Sequence, residues 1–85
     1  MSMVQQLIAA VNAAEVQVDR QMAQLNVYIG ELDQAASRIQ NALSGSSQPY
    51  GQEMLQQLSV TREDVNRSLA RLQQAKQSLG VVKMM

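Results

Sequence analysis

From Val4 onward every seventh residue is aliphatic: Val4, Val11, Val18, Leu25, Leu32 and Ile39. Leu7, Ala14, Tyr28, Ala35 and Ala42 flank that row on one side, and Ile8, Met22, Ile29, Ala36 and Leu43 on the other. Together they form an apolar face about three positions wide per heptad, the mark of an amphipathic helix. No proline lies between Ser2 and Leu43, so the pattern predicts a first helix over residues 2–44. A strict seven-residue period implies left-handed supercoiling about a partner helix.

The row stops at Ser44-Gly45-Ser46-Ser47-Gln48-Pro49-Tyr50-Gly51. Gly45 suits a left-handed helix end, Ser47 or Gln48 a helix cap, and Pro49 the first turn of the next helix. A turn over 45–49 follows. Beyond it Leu55, Leu58, Val65, Leu69, Leu72 and Leu79 alternate at spacings of three and four, predicting a second helix over 50–79. Arg62 and Lys76 occupy the two intervening seam positions, where stems can be buried while charges stay in water. Gly80 ends the pattern and leaves 80–85 as a short tail. A rival reading breaks this helix at Thr61, because Thr61-Arg62-Glu63-Asp64 resembles a helix cap followed by acids.

A connection of about eight residues favours antiparallel neighbours. The expected fold is all-α: a single domain, 1–85, built as a two-helix antiparallel hairpin. Charge supports the pairing, since acids outnumber bases before the turn and bases outnumber acids after it. The first helix would be roughly 60 Å long and the second roughly 45 Å, at about 1.5 Å per residue. Folding about Ser47 then leaves Val4, Leu7, Ile8 and Val11 without an intramolecular partner. Burying one Leu or Ile is worth roughly 1.5 to 3 kcal/mol, so helices of another protein are expected to cover them and complete a four-helix bundle. Val18 and Leu25 belong to the same face.

A second row runs along the back of the first helix: Ala9, Val16, Ala23, Gly30 and Ser37, with Ala13 and Val27 beside it. Every side chain in the row is small or short, which permits close approach of another helix. The simpler reading is that alanine on an exposed face favours helix. Gly30 fits that reading badly and instead suggests a bend or weak point. Met22 and Met54 lie on the seams, as adaptable core filler or as a permissive partner surface.

Composition narrows the function. Cysteine and histidine are both absent, which removes disulfides, thiolate and imidazole metal sites, and the commonest acid–base side chain. Among the carboxylates, only Glu15 and Asp19 share a helix face, and no partner residue accompanies them to tune a pKa or complete a metal shell. No phosphate loop or nucleophile elbow occurs. No catalysis, no cofactor and no metal are therefore expected. Seven basic and seven acidic residues give zero formal net charge, so nothing draws the chain to nucleic acid or anionic lipid. Arg62, Arg67, Arg71 and Lys76 form a basic stretch, but Glu63 and Asp64 interrupt it and no aromatic is interleaved. The uncharged run from Met1 to Ala14 is shorter than the roughly 20 apolar residues of a membrane span and lacks a basic leader region. No membrane insertion is expected; the location is cytoplasmic, or outside the cell without a cleaved leader.

The stretch Leu43 to Pro49, followed by Gln52, Met54 and Leu55 and then Val65, Leu69, Leu72, Gln74 and Ala75, is similar to hairpin proteins encoded beside secreted polymorphic toxins in Gram-positive bacteria. Taken whole, the chain resembles the WxG-type family of small type VII secretion proteins. The family's Trp-x-Gly turn is missing, with Tyr50-Gly51 near its place, and its export signal of Tyr followed four residues later by an acid does not occur after Gly80. The resemblance therefore implies a companion: a targeting partner or chaperone lying along the helices of a secreted toxin or a second small hairpin protein. The alternative is a self-associating structural coiled coil, such as a homodimeric four-helix bundle.

Overall fold

A computed structural model describes residues 2–44 and 49–84. They form two α-helices, α1 (Met3–Ala42) and α2 (Pro49–Met84). Ser2 starts α1: its backbone is extended and its hydroxyl accepts the Gln5 N–H at 3.2 Å. That satisfies one of the donors every helix start leaves open. At the far end the Leu43 N–H bonds to the Ile39 carbonyl at 2.9 Å and the Ser44 N–H to the Asn41 carbonyl at 3.2 Å, tightening the last turn. Pro49 opens α2, where a missing N–H costs nothing. The expected helix end at Gly45 and caps at Ser47 or Gln48 lie outside the described residues.

The helices pack side by side and antiparallel, and three cross-helix contacts fix their register. Arg62 Nε lies 2.9 Å from Asp33 Oδ1, Lys76 Nζ 2.8 Å from Asp19 Oδ1, and Lys83 Nζ 3.1 Å from Asn12 Oδ1. Going along α2 from Arg62 to Lys76 to Lys83 advances two heptads and then one; the partners retreat along α1 by the same steps. One heptad register therefore holds from end to end, as the supercoil expected of a seven-residue repeat requires. Arg62 and Lys76 stand at inward positions with their charged ends in water, and the acids beside them explain why leucine is dispensable there.

For α2 one expectation is corrected, and the rival break at Thr61 does not occur. The helix is continuous through Thr61, whose hydroxyl donates to the Gln57 carbonyl at 2.9 Å, a bond internal to a helix rather than a cap. Nor does it end at Gly80, because Val81 to Met84 continue it. Lys83 is the reason: its ammonium sits 2.7 Å from Glu15 Oε1 as well as beside Asn12. Tertiary contact on that turn outweighs the roughly 1 kcal/mol that glycine costs a helix.

The longer α2 changes the fate of Val11. Expected to lack an intramolecular partner, it is instead the most buried core residue at 5% exposure, while Val4, Leu7 and Ile8, farther out, are exposed. Val11, Leu32 and Val65 are the only apolar side chains buried among the described residues. The body is a rod of 67 × 15 × 14 Å, with a radius of gyration of 19.4 Å. A compact chain of this length would have about 12 Å.

Gly51 is buried where the helices converge near the turn. A Cβ placed on it would collide with Cγ, Cδ1 and Cδ2 of Leu43, so the absent side chain lets Leu43 close that end. Gly30 is different: a Cβ there would meet nothing, and α1 runs through it as continuous helix.

Candidate interaction face

The two flanks of the seam differ in chemistry. On one, α1 presents Asn12, Asp19, Asn26, Asp33 and Gln40, and α2 presents Gln52, Ser59, Asn66 and Gln73. This flank carries the ion pairs between the helices. Hydrogen bonding to Asp19, together with its negative charge, raises the Lys76 pKa above the ordinary lysine value against the lowering effect of burial. The groove on this side, between Asp33, Gln40, Ser59 and Arg62, holds about 230 Å³.

On the other flank α1 presents Leu7, Ala14, Gln21, Tyr28, Ala35 and Ala42, and α2 presents Met54, Thr61, Ser68, Ala75 and Val82. These two heptad rows border a series of grooves along the rod. Ala35, Ile39, Met54 and Thr61 line the stretch nearest the turn, about 780 Å³. Gln21, Leu25, Ser68 and Leu72 line the next, about 400 Å³. Val4, Leu7, Ile8, Val11 and Val82 line the last, about 260 Å³. Within the two rows four large apolar side chains stand open: Leu7 at 53% exposure, Tyr28 at 42%, Met54 at 53% and Val82 at 39%. Single exposed apolar residues are ordinary, and Val16, Val27 and Val60 stand open elsewhere; these four are aligned along one face, which makes it the candidate contact surface.

The residues singled out from sequence divide three ways. Val4, Leu7 and Ile8 gather at the amino-terminal end of this flank and are exposed, whereas Val11 is core, and Val18 and Leu25 are half-buried in the seam. Ala9, Val16, Ala23 and Gly30 lie exposed on the far side of α1, away from the groove. What sequence reading missed was the α2 border of the groove, Thr61, Ser68, Ala75 and Val82. These residues also recur every seven positions, but polar and small types hide them from a search for leucines.

Among the described residues no group of three or more acidic side chains gathers closely enough to hold a metal ion, and no helix is long and apolar enough to cross a membrane. No protein-family model, curated protein or solved structure matches this chain.

Proposed function

We propose that the protein is a non-catalytic interaction module that lays its apolar flank against helices of another chain to complete a four-helix bundle. One observation carries the reading: the chain exposes 6597 Å², about 1,600 Å² more than the roughly 5,000 Å² expected of a folded monomer of its mass. A core of three buried side chains is small for a free-standing domain, and a partner that binds only the folded form stabilises it by mass action. The companion role implied by the resemblance to type VII secretion proteins is one form of this reading, with the helices of a secreted toxin or a WxG-like effector as the partner.

The test is placed on the flank itself. Tyr28→Asp and Met54→Asp should lower the thermal stability of the assembled protein and abolish assembly, while Ser37→Asp on the far side of α1 should do neither. An isolated chain that is monomeric, fully helical and cooperatively folded, with a melting temperature insensitive to concentration and to both flank substitutions, would overturn the reading.

A further inference from the structure

Resting on the interaction reading above, we infer that the partner on the apolar flank is a second copy of this chain, related by a two-fold axis parallel to the helices so that both turns lie at the same end. The register set by the cross-helix ion pairs brings Ala14 level with Val82, Gln21 with Ala75, Tyr28 with Ser68, Ala35 with Thr61, and Ala42 with Met54. At every level the larger side chain stands on one helix and the smaller on the other. A two-fold rotation about the long axis keeps each level and exchanges the sides. Tyr28 of one copy then faces Ser68 of the next, Met54 faces Ala42, and Val82 faces Ala14, so the flank is complementary to itself, as an isologous interface requires.

Two further observations agree. Val4, Leu7 and Ile8 extend α1 beyond the reach of Met84 in the same hairpin, and this axis brings the two projecting ends together at one end of the dimer. A perpendicular axis would send them to opposite ends. With zero formal net charge, no long-range repulsion opposes pairing of identical chains.

The experiment combines mass and geometry on the full chain. Light scattering should give a dimer at micromolar concentration. Ser68→Tyr should weaken it by roughly tenfold or more, because it sets Tyr against Tyr28 of the other copy, and adding Tyr28→Ser should restore most of the loss. The chain has no cysteine, so Asn41→Cys gives one spin label per protomer on an exposed position. The label pair should lie roughly 30 Å apart with the turns together, but more than about 45 Å apart with the turns at opposite ends of the rod. The longer distance, or a failure of the double variant to recover, overturns the arrangement. A partly unfolded monomer overturns the second copy as partner while leaving the interaction reading standing; a fully folded, concentration-independent monomer overturns both.

Discussion

Lys83 places its ammonium 2.7 Å from the Glu15 carboxylate, across the seam and on the last turn of α2. This pair is the most shielded of the salt bridges, Glu15 being only 20% exposed at its side chain. It holds the turn that covers Val11. Lys83→Ala should therefore fray α2 back towards Gly80, with faster amide exchange at residues 81–84 and a loss of about 0.5–1 kcal/mol, the scale of a partly exposed ion pair. Unchanged exchange at those amides would show that Val82 packing alone secures the turn.

The Lys76–Asp19 pair makes a small part of the hairpin's stability depend on alkaline pH. Its pKa is raised by the hydrogen bond to Asp19 and by Asp19's charge, so the folded state holds the proton more tightly than the unfolded chain does. The stabilisation is complete below the ordinary lysine value of 10.5 and is lost as pH climbs through the raised folded value. Asp19→Asn removes the cause. The gap in melting temperature between the native sequence and Asp19→Asn should be steady near neutrality and close as pH passes 10.5. A gap that persists at strongly alkaline pH would assign the effect to something other than this pair.

Two of the three helical glycines, Gly30 and Gly51, should respond in opposite directions. Gly30→Ala adds a methyl group to open space in a helix interior and should stabilise the fold by about 0.5–1 kcal/mol. Gly51→Ala, in the first turn of α2, offers a smaller gain in propensity and drives Leu43 out of its place, and should cost about 1 kcal/mol net. Chemical denaturation of the two variants at one protein concentration measures both. A stabilised Gly51→Ala would mean that Leu43 swings aside at no cost.

The hairpin was legible in sequence because its signals are periodic and local: a seven-residue row from Val4 to Ile39, Pro49 after a Gly/Ser stretch, and Leu58, Val65, Leu72 and Leu79 in answer. What escaped was decided across the seam. Gly80 reads as a stop on propensity, yet Lys83 finds Glu15 and Asn12 and carries the helix on to Met84. The rival reading of Thr61-Arg62-Glu63-Asp64 as a cap fails on the same ground, since Arg62 is committed to Asp33, an acid 29 residues away, and the helix runs on as the leucine spacing predicts. The groove was half legible for a related reason. Its α1 border is marked by Leu7, Tyr28 and three alanines, while Ser68 and Thr61 on the α2 border gain meaning only from the residues they lie level with.

Val11 and Leu7 are one turn apart on α1 but should behave differently. Val11 is closed off by the end of α2, so truncating it removes buried methyl groups and leaves a space the rod cannot easily collapse into. Val11→Ala should cost about 2 kcal/mol, the scale for loss of such buried groups, at every protein concentration. Leu7 stands 53% exposed in the single hairpin, so Leu7→Ala should change the stability of an isolated protomer by less than about 0.5 kcal/mol. Its effect should appear with assembly, as a weaker association constant and a reduced rise of melting temperature with concentration. Equal losses for the two variants at high dilution would place Leu7 inside the protomer's own core and remove the amino-terminal end of α1 from the contact surface.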